Sequence, residues 1–340
     1  MTNRKHYLDN LRAITILLLF PYHTFMIYNN WGESFYIHGQ NLLVPSTFIG
    51  VNWMWMMPLL FAIAGMSSRY ALERRSTGEY AKERVSKLLI PLIFGLLLVV
   101  PVQPYIAGMF FNGGAGYFDS FTKLTDFSGY DGAFAVGHLW FIVFLFVISI
   151  VCLPFMIWYK NKGKGTLGDK TPLIAVILMG LLPCIGSLVD ISGKSPTEYL
   201  AYFALGYFFL SNDNLLEKLE KYRFLLLGLF VAYAAFMLFI LDGKFFEMAS
   251  WLSILAILGL ARRYFNFSGR ITGYLSKSSF GVYIFHQSWI VVAAFFIFKV
   301  VASPWLQIAL ILVVSIVLTY LTYEIARRVP VLRWMFGLKK

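Results

Sequence analysis

The feature that most constrains this chain is a succession of about ten apolar runs, each long enough to cross a hydrocarbon core of roughly 30 Å. They lie near residues 8–29, 45–67, 88–107, 137–159, 172–190, 197–211, 223–241, 246–261, 279–298 and 304–325. The expected fold is all-α: a polytopic integral membrane bundle of about ten transmembrane helices, with 1–340 as a single membrane domain. The sixth run is short enough to be tilted or partly re-entrant. The chain is 59% hydrophobic and only 14% charged, which excludes an ordinary cytosolic enzyme, a disordered chain and a secreted disulfide scaffold. The segments between runs leave no space for a second soluble domain of roughly 100 residues. Cys152 and Cys184 both sit inside apolar runs and imply neither a disulfide nor a zinc framework.

The formal charge of +12 would suit nucleic-acid binding, but the basic residues occupy short segments between apolar runs. With the N-terminus inside, 25 of the 29 Lys and Arg fall on the inner side; Lys123, Lys194, Lys244 and Lys299 are outside. This positive-inside asymmetry orients the bundle, and with an even number of spans it places both termini in the cytoplasm. The first run does not read as a cleaved signal peptide, since Arg12 lies within it and Pro21, Tyr22 and His23 stand where small cleavage-site residues belong. The outer segment near 108–136 combines glycines, Asp119, Asp126 and Asp131 with aromatics such as Tyr117, Phe118, Phe127 and Tyr130. That composition favours an ordered lid with a sugar-binding surface.

Ionisable groups inside spans are costly, so each is a functional candidate. Arg12 and His23 are eleven residues apart. On a helix this is three turns plus roughly 20°, about 16–17 Å along the axis, so both project from one face. Arg12 lies near the cytoplasmic boundary, with Asp9 placed to orient it, and His23 lies in the outer half of the core. The alternative is a snorkelling anchor and a hydrogen-bonded packing residue. His286, beside Tyr283 in a late span, is a candidate for chemistry or for a satisfied helix–helix contact. The inner segment from Ser67 and Ser68 through Arg69, Arg74 and Arg75 to Lys87 is basic enough to hold an anionic cytosolic ligand or anionic lipid headgroups. Glu324, near Arg327 and Arg328, reads first as a helix-end ion pair. His138 with Trp140 opens the fourth span at the outer boundary. No local spacing assembles four metal ligands, so no metal site is inferred.

Several of these segments resemble the bacterial membrane acyltransferase-3 family. Tyr7-Leu8-Asp9-Asn10-Leu11-Arg12-Ala13-Ile14 followed by His23 is similar to its first-span signature, a basic residue, ten residues, then His. Phe61-Ala62-Ile63-Ala64-Gly65-Met66-Ser67-Ser68 with the arginines after it resembles its second-span end and basic inner loop. Gly137-His138-Leu139-Trp140-Phe141 and the run from Ser279 to His286 resemble two further motifs. Tyr323-Glu324 with Arg327 and Arg328 resembles the last-span tail, but the usual proline soon after the Glu is absent. The resemblance covers about 6–335. Its closest likeness is to polysaccharide and glucan O-acyltransferases, without the extracellular hydrolase-like domain of many members. That implies a membrane domain acting alone or with a separate partner.

What the resemblance implies is transfer of a short acyl group, acetyl or succinyl, from cytosolic acyl-coenzyme A as co-substrate. The acceptor is a hydroxyl of a cell-envelope carbohydrate or glycolipid, at the bacterial inner membrane, with no bound cofactor and no nucleic acid. The phosphopantetheine arm is comparable in length to the Arg12–His23 separation. The coenzyme A phosphates can then rest on Arg12, Arg69, Arg74 and Arg75 while the thioester reaches His23. His23 is the expected general base, because imidazole takes a proton near pH 7 and a hydroxyl does not lose one unaided. Ser67, Ser68 and backbone groups are candidate oxyanion donors. A transporter or flippase of a glycan, lipid or acyl compound fits intramembrane His and Arg equally well on physics alone.

Overall fold

The structure, a computed structural model, describes residues 5–32, 35–114, 116–123, 129–130, 132–162, 167–191 and 193–339. Asp126, Phe127 and Asp131 of the expected outer lid lie outside them. The first half contains α1 (His6–Met26), α2 (Leu43–Trp53), α3 (Met56–Leu72), α4 (Thr77–Arg84), α5 (Ile90–Leu98), α6 (Val102–Asn112), α7 (Trp140–Val151) and α8 (Leu153–Asn161). There follow α9 (Leu173–Leu178), α10 (Leu181–Gly186), α11 (Pro196–Leu205), α12 (Asp213–Lys221), α13 (Arg223–Phe239), α14 (Phe246–Tyr264), α15 (Arg270–Ile297), α16 (Pro304–Arg328) and α17 (Pro330–Met335). Among the described residues the regular secondary structure is helical, apart from one isolated bridge between Ile191 and Lys194.

Four helical stretches are long and apolar enough to cross a membrane: Leu43–Leu72, Thr77–Asn112, Arg270–Ile297 and Pro304–Arg328. Two bent pairs, Gly137–Val151 with Leu153–Asn161 and Asp213–Lys221 with Arg223–Phe239, raise the number to six if each pair is one span. The sequence predicts ten, and the difference has identifiable causes. Asp9, Asn10, Arg12 and His23 dilute the apolar content of α1. Any eighteen-residue window of the 19-residue α14 contains Glu247, Arg262 and Arg263. The run at 172–190 is divided into α9 and α10, and α11 passes into a π-helical turn at Gly206–Leu210.

The chain forms two compact units. The first comprises Trp53–Arg84 and Phe144–Thr272 with the start of α1 up to Arg12. Its centre is the contact of α3 with α11 and the π turn. A Cβ on Gly65 would lie 2.0 Å from the Phe203 carbonyl oxygen, and one on Gly206 would lie 2.1 Å from that of Ala62. The two glycines therefore bring backbone against backbone, the close approach that small residues allow where lipid gives helices no hydrophobic drive to associate. Ser195 begins α11 by accepting from the Glu198 amide at 3.1 Å, and Asn212 caps α12 through the Leu215 amide at 2.9 Å.

The second unit comprises Ala13–Asn52, Val85–Val143 and Gly273–Lys340. Gly281 of α15 lets the Tyr323 ring of α16 approach, since an added Cβ would meet that ring at 2.6 Å. The face of α15 carrying Tyr283, His286 and Gln287 is buried. So are Leu19 and Phe20 of α1 and Leu139 and Ile142 of the fourth predicted span. Phe20 packs against the ring of His286, one of the polar groups described next.

Candidate active site

Within the first unit, Arg12 is held from two sides. Its Nη2 donates to Ser67 Oγ at 3.0 Å, and its Nη1 lies 3.5 Å from Asp9 Oδ1 one helical turn earlier. Ser67 thus serves as a hydrogen-bond acceptor for the guanidinium. Ser68, one residue on, is buried, accepts from Tyr80 Oη at 2.9 Å and donates to the Ala64 carbonyl at 2.8 Å. Arg69 donates from Nε to Glu73 at 3.1 Å, and its guanidinium lies 5.0 Å from the Tyr159 ring centre and 5.7 Å from that of Tyr207. Arg74 and Arg75 are exposed, and Arg75 pairs with Glu83. The structure therefore joins Arg12, Asp9 and Ser67 directly, while Arg69 is engaged by an acid and two aromatic rings.

In the second unit, three distant stretches of sequence bring three imidazoles together. His286 of α15 lies between His23 of α1, with ring centres 5.2 Å apart, and His138 before α7, at 5.1 Å. Phe20 closes on the His286 ring at 5.7 Å, and Phe35 stacks nearly parallel to His23 at 6.2 Å and 14°. Tyr36 and Tyr130 continue this aromatic layer from Phe35, with their ring centres 5.0 Å from each other. Pro21 lies inside α1, two residues before His23. It cannot donate to the Leu17 carbonyl, so α1 is locally weakened just before the imidazole.

His138 is fixed by its surroundings. Its Nε2 donates to the Ile284 carbonyl at 2.9 Å, and Gln103 Nε2 donates to its Nδ1 at 3.4 Å. The Tyr283 hydroxyl donates to the His138 carbonyl. Gln103 also donates to Ser288 Oγ at 2.9 Å and accepts from Gln287 Nε2 at 3.0 Å, while Ser288 donates to the Val99 carbonyl at 2.8 Å. Gln103, Gln287 and Ser288 are absent from the sequence-derived candidates. The signal was present in Gln103, a fully buried amide between Pro101 and Pro104 in an otherwise apolar run. Gln103→Leu is expected to leave several buried groups without partners, at about 1–3 kcal/mol each, and to lower the detergent melting temperature. Gln103→Glu, which preserves the acceptor but loses the donors, should fall between Leu and wild type.

Trp140 packs edge-on against Phe141 at the start of α7, with ring centres 6.4 Å apart. Glu324 accepts from Tyr274 Oη at 2.9 Å, from Arg327 at 2.7 Å and from Arg328 at 2.9 Å, the helix-end ion pair with one further donor. Among the described residues no group of three His, Cys, Asp or Glu is arranged to hold a metal ion.

Buried polar groups here converge on imidazoles, and one of them, His23, shares α1 with Arg12; intramembrane groups of this kind serve group-transfer enzymes and transporters alike. The chain belongs to the acyltransferase-3 family: the family model described as an acyltransferase domain matches residues 5–324. It is similar to the glucans biosynthesis protein C of Escherichia coli O1:K1, at 23% identity over 98% of this chain and 94% of that protein. The protein of the same name from E. coli K12 is 24% identical over the same shares. No solved structure matches the chain.

Proposed function

We propose that this protein is an acyl-coenzyme A-dependent O-acyltransferase of the bacterial inner membrane. It spans the bilayer about ten times with both termini in the cytoplasm. A short acyl group, acetyl or succinyl, passes from cytosolic acyl-coenzyme A to a hydroxyl of a cell-envelope carbohydrate or glycolipid, with His23 as general base. The observation that carries this reading is that one helix, α1, carries both Arg12, gripped by Asp9 and Ser67, and His23, half-buried beside His286. Membership of an acyltransferase family supports acyl transfer over transport. The glucan biosynthesis named for its relatives supports a glucan or related polysaccharide acceptor.

In this reaction the imidazole takes the hydroxyl proton as the oxygen attacks the thioester carbonyl, and coenzyme A departs as the thiol. Arg12, with Arg69, Arg74 and Arg75, binds the donor phosphates by charge-assisted hydrogen bonds. Ser67 and Asp9 hold the Arg12 guanidinium for that contact. The sugar is received at the outer segment near 108–136 and the aromatic layer of Phe35, Tyr36 and Tyr130.

Incubation of the purified protein with labelled acetyl- or succinyl-coenzyme A and a glucan tests the proposal. An alkali-labile label on the glucan is expected. Movement of a glycan, lipid or acyl compound across vesicles without ester formation would instead establish a transporter. Arg12→Ala should raise the KM for acyl-coenzyme A about tenfold or more, in line with the loss of a charged hydrogen-bond partner worth about 1.5–3 kcal/mol, and leave kcat largely intact. An unchanged donor dependence would detach Arg12 from donor binding.

A further inference from the structure

The two ring nitrogens of the fully buried His286 are in opposite situations. Nδ1 lies 2.7 Å from the Tyr283 carbonyl, which can only accept, so Nδ1 carries the hydrogen. The lone pair is therefore on Nε2, and Nε2 is buried with no hydrogen-bond partner among the described residues. A buried acceptor left unmade costs about 1–3 kcal/mol. Gln287 Oε1, one residue on, is likewise buried without a hydrogen-bond partner among the described residues, whereas the adjacent imidazole of His138 is satisfied at both nitrogens. Gln103 and Ser288 close a chain that ends on the Val99 carbonyl. The network leaves the lone pair of His286 open, within a ring whose centre is 5.2 Å from that of His23. Nε2 makes no hydrogen bond to the His23 ring, so a proton passes between the two rings through a single bridging hydroxyl.

We propose that His286 is the proton-relay partner of His23. This rests on the acyl-transfer reading above and adds the route of the proton. As the acceptor oxygen bonds to the thioester carbon, its proton moves to His23 and from there to Nε2 of His286. The cation so formed is stabilised by the Nδ1–H bond to the Tyr283 carbonyl. When the C–S bond breaks, the departing thiolate receives the proton back through the same pair, giving the ester, free coenzyme A thiol and both imidazoles in their starting state. His138 on the far side of His286 is saturated with hydrogen bonds and holds the ring in place. The groups facing His286 are thus His23 from α1, His138 from the turn before α7, Phe20 from α1 and Tyr283 from its own helix.

The test uses the full-length protein in detergent or nanodiscs, labelled acetyl-coenzyme A and a glucan acceptor, with His286→Gln and His286→Asn beside wild type and His23→Ala. Gln and Asn supply an acceptor oxygen but take up no proton at neutral pH. The expected result is a fall in transfer rate of about 100-fold or more with the donor KM little changed, and a residual rate that climbs with pH as hydroxide replaces the relay. A variant within about threefold of wild type overturns the relay, as does a loss of rate with an unaltered pH profile, which would mark a packing role. If neither variant folds, the dependence of the wild-type rate on deuterium content decides: a curve bowed downward is expected for two protons in flight, and a straight line overturns the proposal. A wild-type protein that transfers nothing would remove the functional reading and the relay with it. Active wild type, dead His23→Ala and unimpaired His286→Gln would remove the relay alone.

Discussion

Replacing His23 with alanine is expected to abolish ester formation while the protein still inserts, folds and binds donor. General-base assistance contributes about 10²–10⁴ in rate, which corresponds to roughly 3–5 kcal/mol of transition-state stabilisation. The reacting hydroxyl has no other route to lose its proton near neutrality. His23 is only partly buried, between Phe35 and His286, so truncation removes a ring without opening the centre of the unit. Detergent elution profile and donor KM should remain near wild type, and the kcat for transfer should fall. Normal acylation by well-expressed His23→Ala protein would remove this residue from the chemistry. His23→Gln separates hydrogen bonding from proton transfer, and it should be nearly as inactive as the alanine variant.

The second large effect falls on stability. Gly65→Ala and Gly206→Ala each introduce a methyl group at about 2 Å from a backbone carbonyl oxygen of the facing segment. Neither contact is relieved by turning a side chain; α3 and α11 must move apart along their length. Overpacking of this kind costs about 1–3 kcal/mol when side chains can adjust, and a backbone contact lies at or above the upper end. Both variants should show markedly lower melting temperatures and a larger aggregated fraction on extraction. The control is Gly228→Ala in α13, where nothing lies within 4 Å of the added carbon. It should be neutral or slightly stabilising, because alanine is the better helix former. Equal tolerance at positions 65, 206 and 228 would show that the close helix contact is not needed for folding.

These residues also show what was legible in the sequence. The apolar runs announce helices because lipid offers no alternative partner for the backbone, and the helices are present. The number of spans is less direct: the polar residues that make α1 interesting are the same ones that dilute its apolar character. Arg12 and His23 were visible from periodicity and from the cost of intramembrane charge. His138 and His286 stand out as intramembrane histidines too, but their meeting does not, because they are 148 residues apart and only the tertiary fold brings them to one place. Gln103 carried the same warning as the histidines, a polar side chain in an apolar run, yet an amide lacks a charge and attracts less notice. The segment from Phe61 to Ser68 gains a physical meaning from the structure. Ala62 and Gly65 permit the contact with α11, Ser67 receives Arg12, and Ser68 ties to Tyr80.

The most direct measurement is made on sealed vesicles of known orientation containing the wild-type protein, with labelled acyl-coenzyme A supplied to one face and glucan to the other. Ester is expected on the glucan only when the donor is on the cytoplasmic side, with stoichiometric release of coenzyme A thiol on that side, and none with His23→Ala at any donor concentration. Ester formed equally from either face, or formed at the wild-type rate without the imidazole of His23, would contradict transfer along α1.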